Sequence, residues 1–147
     1  VTKLLLQALP DVAVFGEKDY QQLCVIKTMA RDLDIPVQII GAKTIREEDG
    51  LAMSSRNQYL SVEERKIAPV LYQVMAQVAQ NVRSGEQPAS QRTWAEAELT
   101  KAGFGAVDYV AVRDAQTLDP VRDASRPARV LAAAYLGRTR LIDNVAV

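Results

Sequence analysis

The apolar positions change period along the chain, and the changes mark its elements. Residues 3–9 are apolar enough for a short helix, closed by Pro10. Asp11-Val12-Ala13-Val14-Phe15 then reads as a short buried strand that stops at Gly16. Leu23, Ile26 and Ala30 recur at spacings of three and four, which predicts a helix over 19–33 with Asp19 as its N-cap. Pro36-Val37-Gln38-Ile39-Ile40 is a second strand, closed by Gly41. Strand, helix and strand in so short a stretch predict a right-handed crossover between parallel strands. Two strands alone do not make a stable sheet, so further strands are expected beside them.

Residues 42–60 are polar, charged and without periodicity, which reads as a long loop; loops of that length inside a compact domain are often functional. Ser61 and Glu64 then have the spacing of a capping box. Behind them Ile67, Val70, Leu71, Val74, Val78 and Val82 form one helical stripe, closed by Gly85, and Pro69 must kink that helix or restart it. Residues 88–102 predict another helix, with Trp94, Ala97 and Leu99 available for packing and Gly103 at its end. Residues 107–112 alternate, 129–136 form a small-apolar run, and 138–147 are β-rich after a turn at Gly137. The expected whole is α/β: a βαβ piece followed by a small α+β unit, an antiparallel sheet covered by two helices.

Composition narrows the chemistry. The chain has 147 residues, with 18 basic against 18 acidic side chains and no histidine. Balanced charge gives no broad footprint for nucleic acid or an anionic membrane, and no apolar run approaches the ~20 residues that span a bilayer. Without histidine, His-ligated zinc, Ser-His-Asp triads and imidazole general-base chemistry cannot come from these residues alone. The single cysteine, Cys24, lies in a helical apolar pattern and reads as a buried thiol of a reducing, cytoplasmic compartment. The start, Val1-Thr2-Lys3, has no initiator Met and no signal-peptide layout, so a cut, a processed end or a longer protein is expected.

Two segments carry candidate chemistry. Gly16-Glu17-Lys18-Asp19 follows a predicted parallel strand, at the end where open α/β sheets bind ligands. Gly16 admits a close backbone approach, Lys18 suits phosphate, Asp19 suits ribose hydroxyls or a helix cap, and Gln22 projects to the same rim. The plainer alternative is an ordinary strand-to-helix turn. The second segment is Ile45-Arg46-Glu47-Glu48-Asp49-Gly50-Leu51-Ala52-Met53-Ser54-Ser55-Arg56-Asn57. There Met53 is expected to pack inward while Ser54, Ser55 and Arg56 face phosphate oxygens. A surface loop of local turns is the alternative.

Together, Gly16-Glu17-Lys18-Asp19 with Gln22, and Asp49-Gly50-Leu51-Ala52-Met53-Ser54-Ser55-Arg56-Asn57, resemble the pantothenate synthetase family. Val107-Asp108-Tyr109, Val112-Arg113-Asp114-Ala115 and Leu141-Ile142-Asp143-Asn144 extend the resemblance over essentially the whole chain. It implies the end of a Rossmann-like nucleotidyltransferase domain in residues 1–43, a phosphate-binding loop and hinge in 44–60, and an α+β lid in 61–147. The implied reaction joins pantoate and β-alanine using ATP and Mg2+, through a pantoyl adenylate, in a cytoplasmic homodimer of the pantothenate and coenzyme A route. By the same resemblance Gly16, Glu17, Lys18 and Asp19 line the adenosine side of an ATP pocket. Gln22 binds pantoate, and Ile45 meets the adenine through its backbone. Met53, Ser54, Ser55 and Arg56 hold the phosphates, with Lys18 and Arg56 as electrostatic stabilisers and no protein metal ligand. The family's two histidines, one of them the catalytic acid, have no counterpart here, so the chain resembles the carboxyl-terminal half and is expected to be inactive alone. The competing expectations are a non-catalytic, dimerising interaction module and a related nucleotidyltransferase acting on another carboxylate.

Overall fold

Residues 1–147 are all described by the computed structural model, whose backbone separates into two units, Val1–Thr44 and Ile45–Val147. In the first unit, helix α1 (Thr2–Ala8) precedes strand β1 (Val12–Gly16), helix α2 (Tyr20–Asp32) and strand β2 (Gln38–Ala42). The strands pair in parallel, Val12 opposite Gln38 through Gly16 opposite Ala42, with α2 as the crossover. Leu23, Ile26 and Ala30 are buried on α2, as their spacing predicts. Leu5, Ala30 and Ile35 form a small core against Ala13, Met29, Val37 and Ile39.

Several details of this unit differ from expectation. The second strand begins at Gln38, not Pro36, because a proline cannot donate to the ladder. It also runs through Gly41, where a Cβ would stand 2.9 Å from Leu23 and 3.0 Å from Glu17. Glycine there serves close packing of α2 and the turn that leads into it on the strand. Cys24 is half-buried instead of buried. No third strand joins β1 and β2, and Val12, Val14 and Ile40 on one face of the pair are exposed.

In the second unit, helices α3 (Val62–Ile67), α4 (Val70–Arg83) and α5 (Pro88–Ala102) precede strands β3 (Val107–Asp114), β4 (Ala128–Leu136) and β5 (Thr139–Ala146). The sheet is antiparallel in the order β3-β4-β5. Its centre, β4, is the small-apolar run: Val130, Ala132, Ala134 and Leu136 join the core with α4 and α5, and Leu131 and Ala133 on the other face are buried too. Small side chains at these positions allow close packing on both faces of a central strand. Gly137, with φ 56°, opens the two-residue turn between Leu136 and Thr139.

The capping box at the start of α3 is complete. Ser61 Oγ accepts from the Glu64 amide at 3.2 Å, and Glu64 Oε2 accepts from the Ser61 amide at 2.8 Å. Pro69 restarts a helix: α3 ends at Ile67 and α4 begins at Val70 with Pro69 in its cap position. Ala97 is exposed, contrary to its expected packing role. The inward row of α5 is Gln91, Ala95 and Leu99, each four residues apart, and position 97 falls on the opposite side.

Candidate functional site

The turn after β1 brings the first group of candidates together at the carboxyl end of the parallel strands. Glu17–Asp19 form one turn of 3-10 helix that leads directly into α2. Asp19 stands at the N-cap of α2, but its side chain makes no capping bond, which corrects the expected cap; its backbone (φ −90°, ψ 63°) lies outside the extended region usual for a capping residue. The Glu17 side chain lies across Gly41 of the neighbouring strand. Gln22 is exposed on the first turn of α2.

The second group lies in the unit that begins at Ile45. The expected long loop holds a tight hairpin followed by a helical turn. The Met53 amide donates to Ile45 O and the Glu47 amide to Leu51 O, both at 2.9 Å, with Arg46 and Ala52 paired antiparallel. Gly50 closes the hairpin at φ 92°, and a Cβ there would stand 2.5 Å from the Tyr72 ring. Both facts require glycine. Asp49 Oδ1 accepts from the Leu51 amide, while its other oxygen accepts from Arg65 of α3. That hydrogen bond from Arg65 holds the Asp49 carboxyl below the usual carboxylate range.

Burial in this hairpin corrects one expectation. Leu51 and Ala52 are the inward residues, at 4% exposure each, whereas Met53 is 52% exposed. The reason is positional: Leu51 joins the main core of the unit, and the chain leaves the hairpin immediately after Ala52. Ser54 Oγ then accepts from the Arg56 amide at 3.2 Å and caps a 3-10 turn over Ser55–Tyr59. Ser55 and Arg56 are exposed. Asn57 donates through Nδ2 to Ala52 O, and its Oδ1 is buried without a partner. The Ile45 carbonyl is engaged by Met53 while its side chain is exposed.

Sequence reasoning passed over the pair that fastens this hairpin. Arg46 makes a bidentate ion pair with Asp143 of β5, at 2.6 and 3.1 Å, and its guanidinium lies 4.0 Å from the Tyr72 ring centroid. Asp143 is 5% exposed. The available signal was an acid inside an apolar strand, which demands a charged partner.

Arg56 also lines a cavity of about 670 Å³ with Tyr59, Tyr135, Arg138, Thr139 and Arg140. Arg140 is tied to Asp108 at 2.6 Å, and that bond raises its pKa. The arrangement can receive an anion beside a planar group. No three carboxylate, thiol or imidazole side chains are grouped to hold a metal ion.

The model of the family described as pantoate-beta-alanine ligase matches residues 1–146. The chain is 59% identical over 147 residues to pantothenate synthetase of Paramagnetospirillum magneticum, covering 100% of this chain and 52% of that relative. The Caulobacter vibrioides pantothenate synthetase is 56% identical over 152 residues, covering 100% of this chain and 53% of that one. Among solved structures, pantothenate synthetase from Thermus thermophilus superposes with a TM-score of 0.88 at 44% identity, over 98% of this chain and 52% of that one. The pantoate-beta-alanine ligase from Francisella tularensis, crystallised with β,γ ATP and β-alanine, has a TM-score of 0.72 at 28% identity, over 98% and 46%. The chain spans about half the length of the curated relatives it matches.

Proposed function

The chain belongs to the pantoate–β-alanine ligase family, and on that premise we propose that it supplies nucleotide-binding residues to an ATP-dependent ligase joining pantoate to β-alanine. In the proposed reaction a pantoate carboxylate oxygen bonds to the α-phosphorus of ATP, and the bond to the bridging oxygen breaks to release pyrophosphate. The amine of β-alanine then attacks the acyl carbon of the adenylate, loses a proton and expels AMP. Such chemistry depends on positioning and charge neutralisation more than on a protein nucleophile.

Gly16, Glu17, Lys18 and Asp19 take the adenosine side, Gln22 takes pantoate, and the Ile45 backbone meets adenine. Met53, Ser54, Ser55 and Arg56 take the phosphates, and Lys18 and Arg56 offset phosphate charge developing as the adenylate forms. The single observation that carries this reading is the hairpin with Leu51 and Ala52 inward and Ser55 and Arg56 outward. The anchored hairpin holds Ser55 and an exposed guanidinium close together, which suits a phosphate. The Asp19 carboxylate, unused as a cap, supports a role toward ribose. The proposed division is residues 1–43 as the end of a Rossmann-like ATP-binding domain, 44–60 as a phosphate-binding loop and hinge, and 61–147 as an α+β lid.

Mg2+ would arrive on the nucleotide. Magnesium commonly keeps waters and substrate phosphates as ligands. The cytoplasm, where ATP is abundant, is the compartment this reading requires. The deciding assay is pantoate-dependent exchange of labelled pyrophosphate into ATP by the whole polypeptide that carries this sequence. Exchange that needs pantoate supports the reading, and exchange driven only by a different carboxylate replaces it with another nucleotidyltransferase. The 147 residues assayed alone, lacking any imidazole, are expected not to turn over; steady AMP release from them would contradict that.

A second reading rests on a separate observation. Both edges of the β1–β2 sheet are open, and Val12, Val14 and Ile40 are exposed on one face. Open edges recruit strands, so the chain would self-associate as a homodimer or act as an interaction module. Light scattering across a concentration series decides it: a dimer mass supports association, and a monomer throughout counts against it.

A further inference from the structure

Arg46 belongs to none of the ligand-binding positions above, yet its guanidinium makes four hydrogen bonds. Its Nη1 donates to Gly50 O at 3.0 Å and to Asp143 Oδ2 at 2.6 Å; its Nη2 donates to Asp143 Oδ1 at 3.1 Å and to Asn144 O at 3.2 Å. These four bonds use all four hydrogens on the two terminal nitrogens. The Tyr72 ring of α4 covers the guanidinium. Only a planar fork fits this arrangement, since a lysine has three donors on one atom and no flat face.

The contacts link two elements to one hairpin. Asp143 and Asn144 belong to β5, Tyr72 to α4, and Gly50 is the hairpin's own tip. From Arg46 a continuous chain of bonds leads to the exposed residues. Its backbone bridges Ala52, the Met53 amide donates to Ile45, Asn57 donates to Ala52 O, and Ser54 Oγ accepts from the Arg56 amide. Arg56 itself is exposed and borders an open cavity, so the position of its head depends on the hairpin beneath it.

We propose that Arg46 is a positioning residue that fixes Met53–Arg56 against β5 and so sets where the phosphate-binding groups stand. The proposal rests on the reading of Met53–Arg56 as phosphate ligands. Its effect falls on the step in which phosphate charge moves, formation of the adenylate, and leaves the later attack by β-alanine largely untouched.

The test compares wild type, Arg46→Lys and the double replacement Arg46→Met with Asp143→Leu, each in the whole polypeptide. The double replacement removes both charges together, because Asp143 left alone would be a buried unpaired carboxylate. Circular dichroism and melting first establish folding. The expected result is pantoate-dependent pyrophosphate exchange slowed about 10- to 100-fold in both variants, the scale of rate loss that small misplacements cause. The KM for ATP rises, while the rate from preformed pantoyl adenylate and β-alanine stays within about threefold of wild type. Equal slowing of both half-reactions, or unchanged exchange, overturns the proposal. Hydrogen exchange reads the same pin without activity: the Met53 and Asn57 amides should exchange at least about tenfold faster in Arg46→Lys, with the amides of Val130–Ala134 unchanged. Unaltered protection at Met53 and Asn57 overturns positioning even in a protein whose wild type shows no pyrophosphate exchange, a result that would refute the ligase reading separately.

Discussion

Gly16 has an ordinary backbone, φ −67° and ψ 133°, and nothing lies within 4 Å of where its Cβ would stand. Neither conformation nor packing inside the chain explains a glycine there, whereas a ligand lying against the strand end would. Gly16→Ala should therefore leave the melting temperature unchanged or slightly raised, a gain of at most about 1 kcal/mol from a stiffer unfolded chain, while weakening ATP binding by titration calorimetry. A clear loss of stability would show that the space is needed by the fold. Gly50 is the opposite case. Its φ of 92° and the Tyr72 ring 2.5 Å from a would-be Cβ mean that Gly50→Ala should cost about 1–3 kcal/mol in chemical denaturation, with lost order at Met53–Arg56. The sequence displays both glycines equally; only the backbone angle and the neighbour separate their reasons. Asp19 was legible as a helix-start residue, but its failure to cap depends on a local backbone geometry that no pattern reveals. The acid in β5 called for a charged partner, but which arginine meets Asp143 was not legible, because Arg46 lies 97 residues away.

Among the elements, α2, α4 and β3 followed from period, while β4 and β5 followed from a small-apolar run and a β-rich stretch after Gly137. The hairpin at 45–53 did not, since its order comes from side-chain ties to α3, α4 and β5 and not from its own apolar pattern. One tie is pH-dependent. Arg65 donates to Asp49 and depresses its carboxyl pKa, so the stabilisation is present above the unfolded carboxylate value, about 3.9, and is lost as pH falls through the folded value. Both side chains keep over a third of their surface in water, at 36% and 41%, which limits the contribution to no more than about 1 kcal/mol. Wild type should thus melt slightly above Asp49→Asn at pH 6, and the two curves should converge near pH 2; a gap that persists in acid would mean the aspartate acts as a turn former only. At the start of α3, Ser61→Ala removes the Glu64 amide's acceptor and should cost about 1 kcal/mol by denaturant midpoint.

At the scale of the whole molecule, the two units differ in how much they bury. The second has a core drawn from two helices and three strands, while the first buries a few residues around Leu5, Ala30 and Ile35 and leaves Val14 62% exposed. The first unit should accordingly show faster amide exchange in β1 than the second shows in β4. Two strands alone make a marginal sheet, and no third strand among residues 1–147 pairs with either edge of β1–β2. Gly16–Asp19 and Gln22 stand in one unit, and Ile45 and Met53–Arg56 in the other. The central proposal is that Lys18 and Arg56 each offset charge developing on phosphate as the adenylate forms. Rapid-quench measurement of pantoyl adenylate formation in a single turnover, on the whole polypeptide with Lys18→Ala and with Arg56→Ala, tests it most directly. The account predicts that each variant slows that step by about 100-fold or more, as loss of a group that stabilises developing phosphate charge does. Adenylate forming at the wild-type rate in either variant would contradict it.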